Sequence, residues 1–66
     1  MKKISIDNGN SWTTPEAAIA ALGLDAIVNH MDDDTRETVH SELVPCTEVE
    51  FLTRYLELAN DDLIIG

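Results

Sequence analysis

Three side chains could supply a nucleophile and a base, namely Cys46, His30 and His40. Cys46 lies between Pro45 and Thr47, directly before a predicted helix start, where the helix dipole favours the thiolate form. A cysteine at this place is also typical of a small structural residue, and no nucleophile signature surrounds any of these side chains. We therefore predict no catalytic residue, and a catalytic or metal-binding domain built on these residues is the weakest alternative.

A metal or phosphate site would need ligands at recognisable spacings, and the chain does not provide them. The two histidines are not an i, i+4 pair, and one cysteine cannot make a cysteine-rich zinc site. The oxygen-rich segment 7–11 resembles the start of a calcium loop, but Trp12 and Ala18 stand where an EF-hand loop needs Gly and Glu. The glycines are too far apart for a phosphate-binding loop. We predict no metal and no cofactor.

The negative charge of the chain is its most informative property. Thirteen Asp and Glu residues face four Lys and Arg residues, which gives a net charge of −9 on 66 residues. This balance excludes nucleic acid and anionic membranes as direct ligands, because both are bound through Lys and Arg. We expect no membrane span or secretory signal, since no apolar run approaches ~20 residues and none follows the basic start 1–4. The lone cysteine predicts a reducing cytoplasm.

The length and composition predict one small folded domain over residues 1–66. A hydrophobic fraction of 44% is ordinary for a globular protein, so the charge does not indicate disorder. The alternation in residues 3–7 predicts a short strand, and Asn8-Gly9 favours a type I′ turn. A hairpin there would pair Ser5 with Trp12, placing the indole on the face opposite Ile4, so a complete second strand is doubtful.

Helix start and stop signals predict four short helices. A Thr cap and Pro15 open the first, which Gly23 ends, and the second begins near Asp25. Asp34 and Glu37 have the spacing of a capping box for the third helix, which would end before Pro45. Thr47 and Glu50 make the cleanest capping box and open a fourth helix to about Ala59. A final strand is predicted over residues 63–65.

These elements predict an α+β fold, in which four short helices pack on a minimal two- or three-stranded antiparallel sheet formed by the chain termini. The candidate core consists of apolar residues from every element. They are Ile4, Ile6, Trp12, Ile19, Leu22, Ile27, Val28, Met31, Val39, Leu43, Phe51, Leu52, Tyr55, Leu56, Ile64 and Ile65. A core of this size gives a domain of modest stability, and repulsion among the acids works against it.

The acids are the candidate partner-binding residues. Helix-borne carboxylates one turn apart share a face at ~5–6 Å between Cβ atoms, so they could present a row of charge resembling DNA phosphates, ~3.4 Å apart along a strand. The partner-binding set is Asp32, Asp33, Asp34, Glu37, Glu42, Glu48, Glu50, Glu57, Asp61 and Asp62. Solubility alone could also explain these acids, although −9 exceeds the magnitude of ~2–8 that suits a small soluble domain.

This profile of a single acidic domain without an enzyme motif resembles the small inhibitors made by phages and mobile elements, the anti-CRISPR proteins and related DNA mimics. The resemblance implies a non-enzymatic inhibitor, a monomer or weak dimer. Its partner would be a basic nucleic-acid-binding protein or complex, a Cas effector, whose DNA access it blocks. The alternative is a protein-interaction or antitoxin-like module that binds through an apolar patch around Trp12 or Tyr55, since both residue types are frequent interface anchors.

Overall fold

The computed structural model describes residues 2–42 and 47–66. Within these residues the elements follow in the order β1 (Ile4–Ser5), α1 (Pro15–Leu22), α2 (Leu24–Val28), α3 (Asp33–Glu42), α4 (Glu48–Leu58) and β2 (Leu63–Ile64). This order confirms the predicted α+β class with four short helices. None of the helices in the described ranges has the length and apolar character to cross a membrane. The interpretations of Leu43 and Cys46 fall outside the described residues.

The two terminal strands pair with each other, but in parallel. Ile4 lies opposite Leu63, and Ser5 lies opposite Ile64. The predicted antiparallel sheet is therefore wrong in strand direction. Parallel neighbours need a long crossover connection, and here all four helices together form that connection. They return the chain to the end of the sheet where β1 begins, so β2 runs the same way.

The turn after β1 adopts the conformation that the sequence predicts. Asn8 and Gly9 both have positive φ angles, 59° and 86°, as a type I′ turn requires. The returning chain makes one antiparallel bridge, between Ile4 and Thr13, which continues the predicted hairpin register. A complete third strand does not form among the described residues. Trp12 lies on the outer side of this register, with 44% of its surface exposed.

Capping residues define three of the helix boundaries. Thr14 Oγ1 accepts a hydrogen bond from the N–H of Ala17 at 3.2 Å and starts α1, and Gly23 ends it at a φ of 84°. Thr47 Oγ1 accepts from the N–H of Glu50 at 3.1 Å and donates to its carboxylate at 3.1 Å. The predicted pairing of Thr47 with Glu50 at the start of α4 is confirmed, with Glu50 bonded to the Thr47 hydroxyl rather than to its backbone N–H.

The cap of α3 lies two residues earlier than predicted. Asp32 Oδ2 accepts hydrogen bonds from the N–H and the hydroxyl of Thr35, both at 3.1 Å. The predicted capping box of Asp34 with Glu37 is wrong, because the helix has already begun at Asp33. From the sequence, any of the three consecutive aspartates could cap this helix. Asp32 is favoured because the hydroxyl of Thr35 donates a second hydrogen bond to its carboxylate.

The core is a cluster in which the strands and all four helices take part, and α4 contributes the most large side chains. Its buried apolar members are Ile4, Ala18, Ile27, Met31, Val39, Leu52, Tyr55, Leu56, Leu63 and Ile65. Three predicted core residues are instead exposed, namely Trp12, Leu22 and Ile64, at 44%, 41% and 49%. Ile64 lies opposite Ser5, on the face of the sheet away from Ile4, and on α1 the small Ala18 takes the buried position.

A polar loop after β1 is organised around two side chains. Ser5 is fully buried, and its hydroxyl accepts from the N–H of Gly9 at 2.8 Å and donates to Asp7 at 2.8 Å. Asp7 also accepts hydrogen bonds from the hydroxyl and the N–H of Ser11 at 2.5 and 2.9 Å. These hydrogen bonds, those from Ser11 above all, lower the pKa of Asp7 to about 2.

Replacing Asp7 with Asn should therefore destabilise the protein in a pH-dependent way. The folded-state pKa lies below the unfolded value, so the contribution of the carboxylate is present above about pH 4 and is lost as the pH falls toward about 2. We expect the melting temperature of Asp7→Asn to be lower by about 2–5 °C at pH 7 and the difference to vanish near pH 2. Thermal circular dichroism of both proteins against pH measures it, with Asp25→Asn as the charge-matched control. A constant difference across this range would contradict the prediction.

Candidate functional site

Helices α3 and α4 lie side by side in opposite directions, and the seam between them is rich in carboxylates. Thr35, in the first turn of α3, lies beside Leu58 at the end of α4. At the other end of α3, Glu42 bonds to Arg54 of α4 at 3.1 Å. The two helices also make the most extensive contact between elements of the described fold. The seam is therefore formed by two packed helices rather than by a loop.

One end of the seam opens into a polar groove of about 330 Å³. Asp32, Asp61 and Asp62 line this groove together with the ring of Tyr55. The Tyr55 hydroxyl accepts a hydrogen bond from the N–H of Asp32 at 2.8 Å, and this bond ties the start of α3 to the last turn of α4. Three of the predicted partner-binding acids are thereby brought to one place from opposite ends of two helices.

A shallower depression of about 230 Å³ continues the groove along the seam. Asp34, Thr35, Thr38 and Leu58 line it, and Thr35 belongs to both depressions. Residues 34, 38 and 42 recur every four positions, so they occupy one flank of α3. Asp34 therefore lies on the same surface as the acids of the groove.

An ion-pair network occupies the far end of the seam. Arg54 contacts Glu42 at 3.1 Å and Glu57 at 3.8 Å. Glu50, which shares a helix face with Arg54, instead bonds to Thr47 in the capping box. The arginine holds two carboxylates at a fixed place and offsets one of their charges. All three side chains remain substantially exposed, so the network contributes little to stability.

These contacts and the helical spacing on α3 outline a set of carboxylates along the two helices, which we call the acidic seam. It consists of Asp32, Asp34, Glu42, Glu57, Asp61 and Asp62. Arg54 is the cation that the described contacts place within it. Residues 34 and 42 are separated by about 12 Å along α3, from a rise of about 1.5 Å per residue.

The other predicted partner-binding acids lie away from the seam. Asp33 pairs with Arg36 at 3.2 Å on the opposite flank of α3, where Glu37 is also exposed. Glu48 and Glu50 lie in the first turn of α4, the end remote from the groove. Of the ten predicted partner-binding acids, six therefore belong to the seam. Local structure or solvation explains the other four.

Residues 21–58, more than half of the 66-residue chain, match the family model described as "Anti-CRISPR protein AcrIC5". The chain belongs to this anti-CRISPR family. The match confirms the resemblance inferred from the sequence profile, and it spans the helices that form the seam. Asp61 and Asp62 lie beyond the matched range. No curated protein and no solved structure matches the chain.

Membership in the family gives a coarse function. Anti-CRISPR proteins are inhibitors that bind a component of a CRISPR–Cas system and are generally non-enzymatic. Within the part of the chain that the structure describes, no three His, Cys, Asp or Glu side chains come together as metal ligands. His30 lines the polar groove, whereas His40 lies on the other flank of α3, so the structure does not bring the histidines together.

The structure corrects the interpretation of Tyr55. Only 4% of its surface is exposed, so Tyr55 cannot itself present the apolar patch of the alternative, a protein-interaction or antitoxin-like module. Its hydroxyl instead accepts the N–H of Asp32 and joins α4 to the start of α3. Sequence spacing could not reveal this contact, because it joins residues on two different elements. Trp12 does remain exposed, with the Lys3 ammonium 5.6 Å from the ring centroid.

Proposed function

We propose that this anti-CRISPR protein is a non-enzymatic DNA mimic. In this proposal the acidic seam occupies the basic DNA-binding surface of a Cas effector complex and blocks access of target DNA. The observation that carries it is the convergence of Asp32, Asp34, Asp61 and Asp62 along adjoining depressions between two helices. A surplus of acid that served only solubility would not need to converge on one surface.

The dimensions of the seam suit a surface that receives a duplex. The distance of about 12 Å between residues 34 and 42 corresponds to three or four phosphates of one strand at ~3.4 Å each. Packed helix axes lie ~8–10 Å apart, so Glu57 of α4 lies beside the acids that α3 carries.

Several of the carboxylates are held in place before any partner arrives. Asp32 caps α3, Asp62 accepts the N–H of Lys3 at 2.8 Å, and Glu42 is bonded to Arg54. Fixed charges lose less conformational entropy on binding than freely rotating ones. This preorganisation supports a recognition role, because solubility places no demand on side-chain order.

The net charge of −9 supports a basic partner and a monomeric inhibitor. Complementary charge accelerates the encounter with a basic channel, whereas two copies of this chain repel each other. We propose that the protein acts in this way in the cytoplasm, where it competes directly with DNA for the effector.

A competition experiment tests the proposal. Purified Cas effector is bound to labelled target duplex, and the protein is added at sodium chloride concentrations from 50 to 500 mM. We expect displacement of the duplex, with an affinity that falls at least tenfold over this range, because the Debye length contracts from ~14 Å to ~4 Å. Unlabelled duplex should displace the protein in turn.

Two results would contradict DNA mimicry. Simultaneous binding of the protein and the duplex would place the interface elsewhere. Affinity that is unchanged by salt but lost in Trp12→Ala would favour the alternative, an apolar patch around the exposed indole. Of the two aromatic residues proposed for that apolar interface, only Trp12 is exposed, since Tyr55 is buried.

A further inference from the structure

A further depression, separate from the two along the acidic seam, lies on the opposite flank of α3. It has a volume of about 350 Å³ and lies among Val28 of α2, Phe51 of α4, and Arg36, Glu37 and His40 of α3. Val28 and Phe51 are partly buried and pack against the core, so they form an apolar floor. This volume lies at the lower end of the ~300–1,000 Å³ of small-ligand sites and is sufficient for one bulky side chain.

Acidic side chains outnumber cations around this apolar groove. Glu37 and Arg36 line it directly, and Arg36 is paired with Asp33 at 3.2 Å, which offsets its charge. Asp25 and Glu48 each lie one helical turn before a floor residue, Val28 and Phe51 respectively. Three helices thus each place a carboxylate beside the same apolar floor.

We propose that this groove is a second contact site, which binds an apolar side chain carried on a basic segment of the partner. The occupant is one Leu or Phe flanked by Lys or Arg, as on a basic amphipathic helix. The apolar side chain covers Val28 and Phe51, and the flanking cations meet Asp25, Glu37 and Glu48. This inference rests on the proposed function, because it takes the partner to be basic. In this inference, apolar contacts in the groove supply the part of the affinity for the partner that does not depend on salt.

Two synthetic peptides test the groove without the partner. The first is an amphipathic helix of alternating Leu and Arg pairs, and the second replaces each Leu with Gln at the same charge. Each is titrated into ¹⁵N-labelled full-length protein while amide resonances are followed. We expect the Leu peptide to shift Val28, His40 and Phe51. The Gln peptide, which keeps the charge, should shift exposed acids such as Asp34 and Asp61 but not Val28 and Phe51.

The groove would be refuted as a contact site if Val28 and Phe51 shifted equally with both peptides. It would also be refuted if neither residue shifted with the Leu peptide. Seam residues that respond to neither peptide would instead count against the proposed function, so the two failures are distinguishable.

His40→Trp provides a second measurement, because a large ring at this exposed rim position fills the groove without altering the core. We expect at least tenfold weaker binding of the Leu peptide, whereas Glu16→Trp on α1 should bind as the wild type does. Unchanged affinity in a folded His40→Trp would also refute the site.

Discussion

Replacing Asp34 and Asp61 together with Asn should weaken binding to the Cas effector by about 10- to 100-fold. Both carboxylates line the seam, and neither side chain makes a hydrogen bond or ion pair among the described contacts. Their loss therefore removes charge from the interface while leaving the packing of α3 and α4 intact. The amide is nearly isosteric with the carboxylate, so shape complementarity is retained. Binding measured by surface plasmon resonance at several salt concentrations gives both the affinity and its salt dependence.

The matched control changes the net charge by the same two units on another surface. Glu16 lies in the first turn of α1, away from the seam and from the apolar groove. We expect Glu16→Lys to bind within about threefold of the wild type, because distant exposed charges are screened over ~10 Å at 0.1 M salt. A flatter salt dependence should accompany the Asp34/Asp61 variant alone. Equal losses in the two variants would mean that net charge, rather than the seam, governs binding.

Local signals in the sequence predicted the helices well because their causes are local. Thr14, Thr47 and Gly23 act within four residues, and the structure confirms each boundary that they define. The direction of the terminal sheet could not be predicted in this way. It depends on where four helices return the chain, and no residue of β1 or β2 encodes that path.

The same distinction applies to the candidate site. Spacing on α3 predicts which side chains share a flank, but it cannot show which flank faces α4. The contact between Glu42 and Arg54 settles this, and it joins residues from different elements. Asp61 and Asp62 likewise come to line one groove with Asp32 although they follow α4 and Asp32 precedes α3. Composition therefore predicts an acidic protein, whereas only tertiary packing predicts an acidic surface.

Leu52→Ala should have the largest effect on stability, because Leu52 is fully buried at the centre of α4. Truncating a buried leucine costs about 2–5 kcal/mol, from lost apolar burial and the cavity that remains. A domain of this length has a total stability of only about 3–10 kcal/mol. We expect a fall in melting temperature of at least about 10 °C, or a chain that is unfolded at 37 °C. Thermal circular dichroism and urea titration measure the change.

Val49→Ala is the control on the same helix, since Val49 is exposed and lies only three positions from Leu52. Surface truncation of this kind changes stability by about 0.5 kcal/mol or less. The comparison also separates folding from recognition, because the acids of the seam are untouched in both variants. Leu52→Ala should lose inhibition only to the extent that it unfolds, and lower temperature should restore it. Melting temperatures that fall equally in the two variants would show that α4 is not the centre of the core. Packing of α4 would then not be what holds the seam in place.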